Sequence, residues 1–373
     1  MIGMSSIVPF LPLYVRELGV KDLSATTFWS GLVFSGPFLI SFFLVPVWGN
    51  LGDKYGRKMM ILRAIFGLAI AQILIGFSEN VTQLFIGRMF QGLLSGFLPA
   101  AMALVAAQTP DEKTGYALGI LQSASAAGTV LGPTIGGILS DLFGFRNVFF
   151  IVAGLFIVTG IFIIYLIKED KHEKSNQTFS YLDNWKFVLT KKEILIPAVL
   201  IAIATMGFAF VRPLFVLFIE TIERDIKNIP SVTGGLFSLI GIFSTISAAF
   251  WGQRVEKKGI RKNLVMASLL TAIMYSLHLI VTNPVQLIPI CIFLGFGFGA
   301  VQPLLFTIIS SYISAERKGG VLGVATSFQI LGNIVGPITA GIIAGILGLR
   351  FSFIIASFLF LMVTITAFIS IKK

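Results

Sequence analysis

Twelve apolar stretches, separated by short polar loops, constrain this chain more than any other feature of its sequence. A bilayer core about 30 Å thick needs about 20 apolar residues per helix. Backbone polar groups in lipid must be satisfied within their own segment, so each stretch is predicted to be a membrane-spanning helix. The predicted spans are 1–15, 25–48, 60–78, 82–107, 115–140, 147–167, 194–219, 231–252, 263–281, 286–309, 320–346 and 350–371.

The scarcity of charge agrees with this all-α membrane protein. Only 12% of the residues are charged and the mean hydropathy is +0.92, whereas soluble domains average about 25% charged residues. A soluble surface with so few charges would aggregate, so the lipid bilayer must be the solvent for most of this surface.

The basic residues orient the chain in the membrane. Of the 28 Lys and Arg, twenty lie in loops on one side, six lie in loops on the other, and Arg88 and Arg212 lie inside spans. The positive-inside rule makes the richer side cytoplasmic. We therefore predict a multi-pass protein of the cytoplasmic membrane with both termini in the cytoplasm, and no nucleic-acid binding despite the net charge of +11. Only about fifteen residues precede Arg16, which is too few to cross the bilayer. We therefore also expect helix 1 to be truncated at its start.

The two halves of the sequence repeat each other. Equivalent residues recur at an offset of 203 or 204, and they include Trp48 and Trp251, Gly132-Pro133 and Gly336-Pro337, and Arg146 and Arg350. An even number of spans separates the copies, so both have the same orientation. This pattern predicts two parallel six-helix bundles related by an axis along the membrane normal. They cover residues 1–167 and 194–373, and a cytoplasmic linker, 168–193, joins them.

The loop after the second span carries the sequence GNLGDKYGRK. Its glycines permit a tight turn between helices, Asp53 is favoured beside a helix N-terminus, and its cations can bind carboxylates such as Asp111 or Glu112. A basic loop that only sets topology is the alternative interpretation. The residues of this motif are Gly49, Gly52, Asp53, Gly56, Arg57 and Lys58.

Two further patterns lie in the fourth and fifth spans. Arg88 begins the sequence RMFQG. An arginine inside a membrane usually has a functional role, although one near a helix end can extend to the interface. In the fifth span, small residues at a four-residue spacing let another helix approach closely, and a proline bends the helix. This second pattern comprises Gly119, Gly128, Gly132, Pro133, Gly136 and Gly137.

Together with Ile2-Gly3 and Pro9-Phe10-Leu11-Pro12 in the first span, these patterns resemble the twelve-spanning drug/proton antiporters of the major facilitator superfamily. The similarity is to bacterial multidrug exporters of the fluoroquinolone-efflux type. It implies the major facilitator fold. It also implies that the loop motif latches the cytoplasmic gate, that Arg88 takes part in proton coupling, and that the glycine–proline helix is the one typical of exporters.

The resemblance also implies a central cavity between the halves. We expect its polar lining to include Arg88, Gln91, Gln122, Arg212, Gln302, Gln329 and Asn333. Arg212 is predicted either to anchor an anionic group or to pair with Glu220, about two turns away. The spans carry no carboxylate at their centres, so Asp141 and Asp22 are the candidate proton carriers.

The sequence thus predicts a secondary transporter that exports amphipathic drugs, and so confers antibiotic resistance, in exchange for protons. An exporter or facilitator of one metabolite, such as a sugar or an amino acid, is the alternative, and a membrane receptor is a third. We expect a monomer without enzymatic activity or a cofactor. We also expect no metal site, because His172 and His278 stand alone and a metal site needs several ligands.

Overall fold

The computed structural model describes residues 1–167, 169, 180–223, 228–314 and 317–371, and it describes only the backbone of residues 45, 46, 49, 50, 53, 54, 111 and 181. Within this part of the chain, all regular structure is helical. The helices before the linker are α1 Ile2–Ser6, α2 Leu11–Glu17, α3 Leu23–Tyr55, α4 Arg57–Gly76, α5 Val81–Leu94, α6 Phe97–Gln108, α7 Asp111–Phe143 and α8 Phe145–Leu166. Those that follow are α9 Tyr181–Thr190, α10 Lys192–Val211, α11 Phe215–Ile222, α12 Ile229–Lys258, α13 Ile260–Leu277, α14 Leu287–Ser311, α15 Lys318–Leu347 and α16 Leu349–Ser370.

Ten of the twelve predicted spans are confirmed as helical segments long and apolar enough to cross a membrane, within the described residues. The first predicted span is instead divided into α1, a 3-10 turn at Val8–Phe10, and α2. The ninth is α13, whose 18 residues carry Arg261 and Lys262 in the first turn. These two cations lower the mean hydropathy of α13, which explains why α13 is not among the ten segments apolar enough to cross a membrane.

Three spans predicted to be continuous are interrupted, and the cause is local in each. Pro9 and Pro213 each remove one helical N–H donor, and the first span breaks at Val8–Phe10 while the seventh breaks between α10 and α11. The fourth span breaks before α6 at Gly96, whose φ of 107° strongly favours glycine. Pro9 and Pro213 are 204 residues apart, so the first helix of each half breaks at the same place.

The sequence repeat is also a repeat of contacts. The indole N–H of Trp48 donates to the carbonyl of Leu93 at 3.0 Å, and that of Trp251 donates to the carbonyl of Phe296 at the same distance. Arg146 likewise donates to the carbonyl of Ser78 at 3.0 Å, while Arg350 donates to that of Val281 at 2.9 Å. Each half therefore fixes its helices with the same side-chain bonds.

The buried apolar side chains form two large clusters and a smaller one. One large cluster draws its buried residues from Ile7 to Phe156, and the other draws them from Val188 to Ile371. The smaller cluster joins Phe10 of the first half to Phe210 and Leu217 of the second. In the predicted linker, most of which lies outside the described residues, α9 is a short helix capped by Ser180 and Asp183.

Candidate functional site

Two helix pairs join the halves of the molecule: α3 with α15, and α7 with α12. They meet towards the end of the bundle that carries Arg16, Arg146 and Arg350, which we call the opposite face. The other end, which carries Arg57, Lys58, Lys258 and Arg261, is the basic face. These two ends correspond to the two sides that the loop charges distinguish.

Each of these helix pairs forms a close seam at equivalent residues. An ideal Cβ on Gly31 of α3 would lie 2.2 Å from the carbonyl oxygen of Pro337, and one on Gly234 of α12 would lie 2.3 Å from that of Pro133. Only glycine allows backbones to approach so closely. The seams therefore depend on the absence of a side chain at two positions 203 residues apart.

Serine hydroxyls add hydrogen bonds to each seam. Ser35 donates to the carbonyl of Ile334 at 2.8 Å, and Ser238 donates to the carbonyl of Val130 at 2.5 Å. Sequence reasoning missed these serines, although their 203-residue separation was a usable signal. The two seams are thus one contact made twice, and together they close the opposite face.

Two charged contacts reinforce this closure. Arg16 at the end of α2 forms an ion pair with Glu220 of α11, and these residues occupy equivalent positions in the two halves. Asp141 of α7 accepts hydrogen bonds from the backbone N–H of Ser231 at 3.0 Å and from its hydroxyl. Both contacts cross from one half to the other. The predicted pairing of Arg212 with Glu220 is therefore wrong in this structure, because Glu220 pairs with Arg16.

Towards the basic face the halves separate. An ideal Cβ on Gly119 of α7, Gly252 of α12 or Gly323 of α15 would meet nothing within 4 Å. Tyr116 on α7 is 76% exposed. The helices that form the seams therefore diverge, and the cavity between the halves opens at the basic face.

Three of the four predicted polar residues of the second half come together, and Arg212 lies apart from them. Gln302 of α14 donates to the hydroxyl of Thr205 at 2.9 Å and accepts from Gln329 of α15 at 2.9 Å. The side chain of Asn333 donates to the backbone carbonyl of Gln329 at 3.2 Å. These side chains satisfy one another and link α10, α14 and α15.

In the first half, Arg88 is buried rather than extended to an interface. Its Nε donates to the carbonyl of Val33 at 3.1 Å and its Nη1 to Gln91 at 2.5 Å, which ties α5 to α3. Gln122, by contrast, is exposed and contacts only the sulfur of Met102, at 3.6 Å. The structure thus brings Gln91 to Arg88 and leaves Gln122 apart from both polar groups.

The glycine stripe of α7 divides between two partners. The positions of Gly132 and Gly136 lie against Ser5 and Ser6 of the first span, where an ideal Cβ would come within 1.9 Å. Gly128 also accepts a hydrogen bond from Ser5 through its carbonyl, at 3.1 Å. Gly137 faces the other half instead, because its Cβ would lie 2.5 Å from the carbonyl oxygen of Pro230. The stripe therefore holds the first span, while Pro133 and Gly137 belong to the seam.

The loop motif makes its bonds within the first half. Arg57 donates to the carbonyl of Ala103 at 2.5 Å, and the ammonium of Lys58 donates to that of Ile164 at 2.9 Å. Glu169, which sequence reasoning missed, accepts from the backbone N–H groups of both residues at 2.6 and 2.9 Å. A carboxylate at this helix N-terminus is electrostatically favourable.

The remaining predictions for the loop have mixed outcomes. Gly56 has a φ of 97°, which the tight turn requires, and Gly52 packs against Met60. The side chains of Gly49, Asp53 and Asp111 lie outside the described part of the structure. Glu112 is exposed and is not a hydrogen-bond partner of Arg57 or Lys58 here.

A repeated helical bundle with polar groups between its halves, closed at one face and open at the other, defines a membrane transporter that works by alternating access. Among the described residues, no three His, Cys, Asp or Glu side chains cluster to hold a metal. The model of the Major Facilitator Superfamily matches residues 1–329, and the chain belongs to this superfamily. It is accordingly a multi-pass membrane transporter and not an enzyme.

The chain is also similar to particular members. It is 34% identical to the multidrug resistance protein MdtG of Klebsiella pneumoniae, over 100% of this chain and 90% of the relative. It is 36% identical to MdtG of Proteus mirabilis, over 93% and 87% of the two chains. Among solved structures, the nucleoside transporter NupG superposes with a TM-score of 0.81 at 15% identity, over 100% and 96% of the chains. A bacterial homologue of the human lysosomal transporter Spinster also gives 0.81, at 13% identity over 98% and 92%.

Proposed function

We propose that this transporter exports amphipathic drugs from the cytoplasm in exchange for protons. The observation that carries this proposal is the similarity to MdtG multidrug resistance proteins along essentially the whole chain. The site agrees with it, because aromatic side chains pair on the helices α3, α10 and α14. Phe208 stacks on Phe298 with ring centres 4.0 Å apart, and Phe34 stacks on Phe38. Such surfaces bind apolar molecules of varied shape.

The loop charges support an orientation for the closed and open faces. Under the positive-inside rule the basic face is cytoplasmic, and so are both termini. The seams then close the outer side, and the cavity opens to the cytoplasm. In this orientation the structure is an inward-facing state, ready to load an exported substrate. The loop motif is a latch for the opposite, outward-facing state, which explains why its bonds stay within one half here. The transport unit is a single chain whose two bundles, 1–167 and 194–373, rock about the cavity between them.

Asp141 is the better of the two candidate proton carriers. Its carboxylate bridges the two halves at the N-terminus of α12, whereas Asp22 accepts from Ala25 at 2.8 Å and caps its own helix. Protonation of Asp141 from the outside would weaken a bond that exists only when the outer side is closed. A proton there therefore favours opening outwards, which gives protons a way to drive the cycle.

The metabolite carrier remains the alternative, and the network of Gln302, Gln329 and Thr205 is the observation in its favour. A sugar or amino acid needs several polar groups that are free to bind it. These side chains are bonded to one another, so the drug exporter is the better assignment.

The experiment that tests the proposal is dye efflux from cells that express the full chain, with and without a protonophore. We expect several unrelated amphipathic dyes to be exported and the protonophore to stop their export. Asp141→Asn should weaken the response to an imposed pH gradient in proteoliposomes, and Asp22→Asn is the matched control that should not. Dye accumulation equal to that of an empty vector would reject drug export. Undiminished coupling in the Asp141 variant would reject Asp141 as the proton carrier and leave drug export standing.

A further inference from the structure

Arg212 lies at the inner edge of the outer seams, where the two halves meet. It follows α10 at the break before α11, and its guanidinium carbon is 5.5 Å from the ring centres of both Phe34 and Phe208. Phe34 is next to Ser35, which donates across the seam between α3 and α15. Arg212 itself therefore contacts both halves of the transporter.

This arginine has no hydrogen-bond or ion-pair partner among the described residues. Its Nε is buried and unsatisfied. The carboxylate closest in sequence, Glu220, is held by Arg16. The second buried arginine, Arg88, by contrast donates to both Val33 and Gln91. A membrane-embedded cation without a counter-ion is unusual, because such groups normally pair.

A second free donor lies beside Arg212. Tyr275 of α13 is buried, and its hydroxyl makes no hydrogen bond within the described residues. Arg212 and Tyr275 line one small cavity together with Phe208, Phe237 and His278. The cavity is about 20 Å³, which is room for about one water molecule. It can therefore admit one oxygen atom of a charged head group but not an entire drug.

We infer that Arg212 and Tyr275 form a pocket for the anionic head group, a carboxylate or a sulfonate, of an exported amphiphile. The guanidinium supplies the charge and the phenol supplies a further hydrogen bond. Phe208 and Phe237, which line the same cavity, flank the apolar part of the same molecule. The inference rests on the proposed export function and refines its substrate class. The corresponding position in the first half is Val8, so each chain holds one such pocket.

A matched pair of fluorescent probes tests this pocket. Anilinonaphthalene sulfonate and its uncharged parent, phenylnaphthylamine, share one aromatic skeleton and differ by the anionic group. Their binding is measured on the purified full chain in lipid nanodiscs, with empty nanodiscs subtracted. We expect Arg212→Gln to weaken sulfonate binding about tenfold or more, as the loss of a hydrogen bond to a charged group does. Arg212→Lys should retain part of that affinity, and binding of the uncharged probe should change little.

Tyr275→Phe is the second variant, because it keeps the ring and removes only the hydroxyl. It should weaken sulfonate binding a few-fold and leave the uncharged probe unaffected, even if Arg212→Gln fails to fold. Equal affinity of the wild-type chain for both probes would overturn the pocket. Equal losses for both probes in the two variants would also overturn it, because they would indicate a packing role.

Efflux of the same probes separates this inference from the proposed function. Export of the uncharged probe together with no dependence of sulfonate export on Arg212 would reject the pocket and leave drug export standing. Sulfonate binding that depends on Arg212, without export of either probe or of other dyes, would reject drug export and leave the pocket standing.

Discussion

The two halves of the molecule close one face with the same contacts, yet their polar chemistry differs. Gly31 and Gly234 make equivalent close approaches, and Ser35 and Ser238 make equivalent hydrogen bonds. At the basic face, Lys58 donates to the carbonyl of Ile164, and its counterpart Arg261 donates to that of Phe368. The geometry that lets the halves move against each other is therefore present twice.

The polar groups inside the bundle follow no such symmetry. Arg88 of the first half corresponds to Ile292, and Arg212 of the second corresponds to Val8. Arg16 and Glu220 are equivalent positions of opposite charge, and they pair with each other between the halves. The comparison teaches that the contacts that close the seams are shared, while the buried polar groups differ between the halves.

The strongest way to break the equivalence of the seams is Gly234→Ala. The new Cβ would lie 2.3 Å from the carbonyl oxygen of Pro133, and overpacking costs about 1–3 kcal/mol. That shifts the equilibrium about 5- to 150-fold away from the closed seam. We expect dye efflux per inserted protein to fall close to background.

The neighbouring glycine supplies the control for this seam variant. An ideal Cβ on Gly235 meets nothing within 4 Å, so Gly235→Ala should transport normally. Gly31→Ala should repeat the defect of Gly234→Ala if the seams are equivalent. Normal transport by both seam variants would show that the close approach does not limit the cycle.

Arg88→Ile sharpens the comparison by giving the first half the residue found in the second. The substitution removes the donors to Val33 and Gln91, and a buried polar group left unsatisfied costs about 1–3 kcal/mol. We expect a lower unfolding midpoint in detergent and about tenfold slower efflux. Arg88→Lys keeps the charge and should lose less, so an unchanged midpoint in the isoleucine variant would contradict the structural role.

Exchanging the charges at Arg16 and Glu220 tests whether these equivalent positions are interchangeable. Either single reversal places like charges together and should slow transport a few-fold, since a partly exposed pair contributes about 0.2–1 kcal/mol. The double variant, Arg16→Glu with Glu220→Arg, should restore the rate because the pair lies between equivalent positions. Efflux rates at low and high salt measure this, and a double variant as slow as the singles would refute it.

The smallest expected effect concerns Glu169, which accepts hydrogen bonds from the first turn of α4. Glu169→Gln removes a negative charge from the N-terminus of α4, a contribution of about 0.3–1 kcal/mol. We expect a small decrease in the unfolding midpoint. Glu256→Gln, at an exposed position, is the control, and equal midpoints for the two variants would exclude a specific cap.

Sequence periodicity and repeats predicted most of the fold. Ten spans and their order are confirmed, because long apolar segments have no alternative to helix in lipid. The breaks at Pro9, Gly96 and Pro213 were missed, since an apolar stretch looks continuous whether or not one turn inside it is unwound. The roles of the candidate site residues stay predictions, and several of their partners, such as Glu169 and Tyr275, lie far away in the chain.

The sequence by itself determined that the chain is a membrane-embedded pair of repeated helical bundles, because hydropathy and residue spacing act locally along the chain. Only the tertiary structure decided which charges meet. Glu220 is eight residues from Arg212, yet it pairs with Arg16, 204 residues away. Helix packing brings equivalent positions of the two halves together at their shared axis, so Glu220 binds Arg16 rather than Arg212.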